Sequence, residues 1–352
     1  MCRVKIVVVS LFLWFAGPLW AQSSISAQMK EGQRHFDAGH FKEASLCFSK
    51  AIEKLPASKP GLQNPELAMA YYARALCLLK LKDNGSAVVD FNKCIFLDTT
   101  LQEAYYNRAV AYHATQNYHF ALADLSRFLS YQPADTSARQ LRMRMAQQMS
   151  EFELAASDAW YLYRLQGQER FFKEWTNHCL MGELWGRYVL GSDTALLEHP
   201  QWTWIHMDRA WALHVQGSYE QSQGEISLYM TGRDREFSAY HLQADNCTYM
   251  GEYEKARQIY SELMEMEPNN ADLWVDVALV SLQEKDWSRA EKELTKAISS
   301  KTTLLAYAYL SRGVARYEAG KRAEACQDWN RGHMLGDPAA GHYFRTRCST
   351  QP

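Results

Sequence analysis

Residues 103–133 read EAYYNRAVAYHATQNYHFALADLSRFLSYQP. Ala109 and Ala121 stand among tyrosines, leucines and phenylalanines, where an amphipathic helix would bury larger side chains. The pattern recurs along the chain. Ala121 opens ALADLSRFLSYQP, Ala256 opens ARQIYSELMEMEP and Ala44 opens ASLCFSKAIEKLP. Four residues after each alanine comes Leu125, Tyr260 or Phe48, and seven after it Phe128, Leu263 or Ala51. That spacing traces one face of a helix. Twelve after it comes Pro133, Pro268 or Pro56. Proline cannot donate to the helix and clashes with the preceding turn, so it ends each helix.

A second small residue precedes each of these by twelve positions. Ala109 stands before Ala121, Gly32 before Ala44, Ala75 before Ala87, Ala210 before Ser222, Ala244 before Ala256, Ala278 before Ala290, and Gly313 before Ala325. Small residues on two antiparallel helices let their axes approach closely. Neighbours such as Tyr105, Tyr112 and Tyr118 then fill the flanks. Turns such as MGEY (250–253) and EAGKR (318–322) join the helices, with Gly251 and Gly320 relieving the backbone. Units begin near Ile25, Ala68, Gln102, Thr136, Arg170, Thr203, Phe237, Ala271 and Ala306.

The period, about 34 residues, and the placing of the small residues resemble the tetratricopeptide repeat. A Sel1-like array would need a longer period and glycine-rich spacing. The resemblance implies an all-α fold, a right-handed α-solenoid superhelix of about nine helix pairs with a C-terminal capping helix. Residues 22–169 then form an N-terminal array and residues 203–338 a C-terminal one. Residues 170–202 depart from the pattern. Asn177 stands at the first small-residue position, and the second helix is expected to be short and poor. This segment is either a worn repeat that carries the stack or a break between two arrays. The stretch KPGLQNPEL (59–67) reads as a surface loop between the first two units.

The chain has 352 residues, 47% of them apolar, and a formal net charge of −2, which gives no basic field for nucleic acid. It begins MCRVKIVVVSLFLWFAGPLWAQSS. Arg3 and Lys5, an apolar run from Ile6 to Phe15, a Gly17-Pro18 break and Ala21 form a secretory signal pattern. The run is too short for a bilayer span, which needs about 20 apolar residues. Cleavage is expected after Ala21, leaving residues 1–21 outside the fold. An uncleaved anchor is the alternative. Location is expected to be periplasmic or outer-envelope associated, with no integral membrane span after cleavage.

Residues 339–352 are expected to hold a cap, Ala339 to Arg347, over the last apolar face. This ending, with ACQDWNRGHMLGD and a terminal cysteine, resembles exported tetratricopeptide proteins of Gram-negative bacteria. In an oxidising compartment Cys326 and Cys348 are expected to form a disulfide, with two free buried thiols as the alternative. Cys47, Cys77, Cys94, Cys179 and Cys247 fall within helix patterns. No zinc-type Cys/His spacing and no catalytic signature is present, so neither metal, cofactor nor enzymatic activity is expected. His206 and His214 lie two helical turns apart, too far to hold one metal. NGS at Asn84 and NCT at Asn246 match the glycosylation pattern, which is common by chance.

The resemblance further implies that the first helix of each unit lines a concave groove. Counting from the unit starts, positions two, five, six, nine and twelve supply Tyr72; Tyr106, Asn107 and His113; Trp204, Asp208, Trp211 and His214; His241 and Asp245; Asp276; and Tyr307 and Tyr317. Aromatics in such number suit capture of a protein or peptide partner. The alternative is that many of them pack between units. Family clamps that grip a C-terminal carboxylate are hinted at only by Asn107 with Arg74 and Arg108. Gln28, Met29 and Gln33 stand where the first unit would need cations. The expected role is an exported scaffold in an envelope assembly, secretion or uptake system. The alternative is carbohydrate or small-ligand stacking on Trp175, Trp185, Trp202, Trp204 and Trp211.

Overall fold

The structure, a computed structural model, describes residues 19–55 and 64–348. The expected leader, residues 1–21, lies outside that range except for its last three positions. So does most of the loop at 59–67. Every regular element among the described residues is a helix, and none is long and apolar enough to cross a membrane.

The fold divides between Leu184 and Trp185 into two compact units. Unit 1 holds α1 (Leu19–Asp37), α2 (Phe41–Lys54), α3 (Pro65–Lys80), α4 (Asn84–Leu97), α5 (Gln102–Ala114), α6 (Tyr118–Tyr131), α7 (Thr136–Gln148), α8 (Phe152–Gln166) and α9 (Glu169–Met181). Unit 2 holds α10 (Trp185–Glu198), α11 (Trp204–Val215), α12 (Tyr219–Met230), α13 (Phe237–Tyr249), α14 (Tyr253–Met266), α15 (Leu273–Gln283), α16 (Trp287–Ser299), α17 (Leu305–Glu318), α18 (Arg322–Met334) and α19 (Pro338–Tyr343). Within each unit every helix packs on its neighbours in sequence, as a solenoid requires. The atypical segment 170–202 contributes α9 to one unit and α10 to the other. Contrary to expectation, α10 is a full 14-residue helix. Tyr188, Ser192 and Ala195 are buried at helical spacing, and this burial outweighs the weak propensity of its glycines.

The small residues sit at the closest approach of each pair. Ala44, Ala75, Ala87, Ala109, Ala121, Ala210, Ala244, Ala256, Ala278, Ala290 and Ala325 are all fully buried. A methyl group added at Gly32 would lie 2.7 Å from the Phe48 ring, and one at Gly313 would strike the Trp329 indole. In both pairs the large partner stands sixteen residues on, filling the space the glycine leaves.

An ion pair repeats in the same register. Arg74 grips Asp90, Arg108 grips Asp124, Arg142 grips Asp158 and Arg312 grips Asp328, each through two N–H groups and each sixteen residues apart. Arg209 reaches Glu225 in the same way through one, at 3.0 Å. The remaining guanidinium group donates to the second helix of the preceding pair: to Ser49, Asn92, Ser126 and Thr295 from Arg74, Arg108, Arg142 and Arg312. Each arginine thus staples its own pair and the pair before. Burial pushes the Asp124 carboxyl above its ordinary value despite Arg108 beside it. The desolvation cost therefore offsets much of the attraction.

The turn inside each unit is also constant. Gly39, Lys82, Gln116, Ser150, Glu183, Gly217, Gly251, Lys285 and Gly320 all have positive φ. The next residue's N–H closes the turn on a carbonyl five positions back, as Asn117 does on Tyr112 at 2.8 Å and Lys321 on Arg316 at 2.8 Å. Only four of these nine positions are glycine. At the C-terminus, α19 seats Ala340 on Gly332 and stacks Tyr343 on Trp329 at 5.0 Å. Cys326 and Cys348 are disulfide-bonded across a sequence separation of 22, a loop whose closure stabilises by ~3 kcal/mol in the chain-entropy model.

Two substitution sets check these points by urea unfolding. Asp124→Ala leaves the Arg108 charge buried and unpaired and should cost about 3 kcal/mol, whereas Arg108→Met with Asp124→Leu should restore near-wild-type stability. Gln116→Gly should stabilise by roughly 0.5–1 kcal/mol, since it relieves a left-handed backbone.

Candidate functional site

The sequence-derived groove residues separate into two groups. In unit 1, Tyr72, Tyr106 and Asn107 are buried to 1%, 1% and 0% exposure, so they are core rather than groove. Tyr72 packs edge-on against Phe91 and Tyr106 against Phe128. The Asn107 amide donates to the Tyr72 hydroxyl at 2.9 Å, tying α5 to α3. Burial raises the Tyr72 pKa, which keeps the hydroxyl neutral. His113 is half-buried beside Tyr118, and burial, with help from Arg144, lowers its pKa. Arg74 and Arg108 are committed to Asp90 and Asp124, so they do not form a carboxylate clamp.

In unit 2 the first helices of successive pairs meet along one side, α11 with α13 and α13 with α15. Two polar links make those junctions. On the first, His214 Nδ1 lies 2.7 Å from the Asn246 side-chain oxygen. The Asn246 amide donates to Ser222 at 2.8 Å, and the Ser222 hydroxyl donates to the Ala210 carbonyl at 2.7 Å. Asn246 therefore turns its oxygen to His214, and Nδ1 carries the proton. This also accounts for serine at a position where other units use alanine.

The second junction is His241, held between Asp276 at 2.9 Å and Asp245 at 3.3 Å. The Tyr260 hydroxyl donates to Asp245 at 2.5 Å. Burial opposes the charged imidazole, but the two carboxylates outweigh it and push the His241 pKa up to about 10. Burial, then Asp245, raises the Tyr260 pKa, so that hydroxyl stays a donor.

Around these links lies an aromatic cluster. Trp211 stacks on His214 at 5.8 Å, and Tyr219 stacks on Tyr249 at 5.1 Å. His214 meets both tyrosines edge-on. Trp211, Tyr249 and Tyr307 remain 47%, 53% and 39% exposed. Tyr307 lies near enough for its hydroxyl to help burial raise the Tyr249 pKa. Asp208, one turn before Trp211, has no ion pair or hydrogen bond among the described residues. Burial pushes its carboxyl up to about 6. Trp204 is half-buried beside Trp202. Tyr317 belongs to the cap instead, 5.4 Å from Trp329 and bonded to Arg347.

The structure thus brings Trp211, His214, His241, Asp245, Asp276 and Tyr307 to one side of unit 2, with Asp208 one helical turn before Trp211 on α11. Tyr219, Tyr249, Asn246 and Tyr260 join them unforeseen. Tyr249 stands at position thirteen of its unit, one past the last position counted, and Tyr219 opens a second helix beyond the first-helix positions counted.

Helix pairs of this repeat, closed by one turn type and presenting a side of first helices, define a solenoid scaffold. Tetratricopeptide-repeat models match residues 29–93 in unit 1 and 249–312 in unit 2. One stretch in each unit thus carries tetratricopeptide repeats. The chain is 28% identical over 127 residues to zebrafish (Danio rerio) protein unc-45 homolog B, covering 36% of this chain and 13% of that protein. It is 26% identical over 139 residues to the human peptidyl-prolyl cis-trans isomerase FKBP4, covering 38% of this chain and 30% of that protein. The chain therefore spans less than a third of either relative. In fold it is similar to the structure of Naa15/Naa10 bound to HypK-THB, with TM-score 0.56 and 10% identity over 89% of this chain and 64% of that one. These repeats support a protein-interaction scaffold.

The His241 linkage can be read from pH-dependent unfolding. Its folded pKa is raised above the ordinary histidine value near 6.5, so its contribution is complete below that pH and is lost as pH rises towards about 10. The gap in urea midpoint between the wild type and His241→Gln should shrink across that window. A gap that stays constant would contradict a charged His241 between Asp245 and Asp276.

Proposed function

We propose that this scaffold is exported and that the inner side of unit 2 captures a peptide segment of a partner protein. The observation that carries the reading is the exposure of Trp211, Tyr249 and Tyr307 on one side of rigid, packed helices. Large aromatic side chains left in water on ordered elements offer contact area at little entropic cost. The His214–Asn246–Ser222 chain orients Trp211's stacking partner before any ligand arrives. Such pre-organisation lowers the ordering cost of binding. The secretory pattern in residues 1–21 and the Cys326–Cys348 disulfide support export. An envelope assembly, secretion or uptake system is the setting this combination suits.

Stacking on carbohydrate finds less support. Trp175 and Trp202 are buried at 1% and 8%, so the tryptophans do not form a shared open platform.

Crosslinking in intact cells followed by affinity capture tests the reading. Trp211→Ala with Tyr249→Ala should abolish recovery of the partner while leaving the urea midpoint within about 1 kcal/mol of wild type. Tyr106→Ala should instead unfold unit 1, at a cost of about 3–4 kcal/mol for a large buried aromatic. Recovery unaffected by the double change, or a cytoplasmic location on fractionation, would count against the proposal.

A further inference from the structure

The charges on the four first helices of unit 2 decide which partner its inner side suits. α11, α13, α15 and α17 contain no lysine and three arginines, Arg209, Arg312 and Arg316. All three turn away from the inner side. Arg209 pairs with Glu225 and Asp193, Arg312 with Asp328, and Arg316 with Glu291 and Asp328. What remains beside the exposed aromatic rings is acidic. Asp245 and Asp276 share the cation His241, and Asp208 pairs with no cation among the described residues. The face therefore carries an excess of negative charge, most of it near Trp211 and Tyr249.

We infer that this face binds a segment of a partner protein bearing lysine or arginine, rather than an acidic or C-terminal carboxylate motif. The inference rests on the proposed peptide-binding role of the same face. Exposed Trp211 and Tyr249 offer ring faces to an ammonium or guanidinium group. Asp208 and Asp245 each stand about one helical turn before one of those rings, so carboxylate and ring share a helix face. A cation docked there pairs a carboxylate that burial otherwise leaves costly to ionise. The aromatic rims supply area, and the carboxylates supply the sign that selects the occupant.

A random peptide library panned on the purified full chain tests this. Peptides retained by the wild type should be enriched in lysine and arginine and should lose affinity as salt rises. Asp208→Asn should weaken the retained peptides by about tenfold, the scale of one charge-assisted contact. That isosteric change is expected to keep the fold, with circular dichroism as the check. Retained peptides that depend on Trp211 but are neutral or acidic would overturn the cationic preference while leaving peptide capture intact. Retention that is unaffected by Trp211→Ala, or no retention at all, would overturn the peptide-binding face itself and this inference with it.

Discussion

The closest approach of two helices within each pair is the constraint on which the rest of the structure depends. It demands a methyl group or less at the crossing, as at Ala109, Ala121 and Gly313. Once the axes are that near, the small residue of the first helix faces a partner sixteen residues later. Gly32 with Phe48 and Gly313 with Trp329 show the steric side of this register. Arg108 with Asp124 shows the electrostatic side, one residue earlier on each helix. Apolar burial provides most of the stabilisation. The ion pairs add geometry, because a bidentate fork tolerates little rotation of one helix against the other.

The departures from this register are as informative as its repetition. At the arginine and aspartate positions, segment 170–202 carries Thr176 and Ser192, both buried. The division between the units falls within this segment. In the units that begin near Phe237 and Ala271, Gln243 and Val277 stand where arginine is expected. There Glu293 is served from elsewhere, by Arg257, Arg289 and the Ser281 hydroxyl. Unit 2 has thus moved part of its polar bonding off the ladder. The His241–Asp276 pair and the His214–Asn246 link join first helices directly.

The architecture was legible because its signal is spread over many residues. A small residue, a second twelve on and a proline after that survive the loss of any one unit. The turn was half legible: glycine marks it at Gly251 and Gly320, but Lys82, Gln116 and Ser150 take the same left-handed backbone without a compositional mark. The Arg–Asp register was present in the sequence, with arginine just before the first small residue and aspartate three after the second. It went unread because charged residues are ordinarily assigned to the surface. The groove was the least legible part. Position counting cannot tell Tyr106, which fills a gap against Phe128, from Trp211, which does not. That outcome depends on the volume left by neighbouring units, a property no single repeat encodes.

The same reasoning explains how the inner side of unit 2 can keep a carboxylate and open rings without losing its shape. A carboxylate beside exposed rings normally recruits a hydrogen-bond donor or a cation from its own chain. Asp245 has done so, with Tyr260 and His241, and is fixed in place. Asp208 has not: Arg209 is its neighbour in sequence, but helical geometry turns that side chain toward α12 and Glu225. Adjacent residues on a helix point about a quarter-turn or more apart, so consecutive aspartate and arginine serve different faces. The arginine is spent on holding the repeat together. Its acidic neighbour is left facing the side of the stack where Trp211 stands open, with its charge uncompensated by the fold.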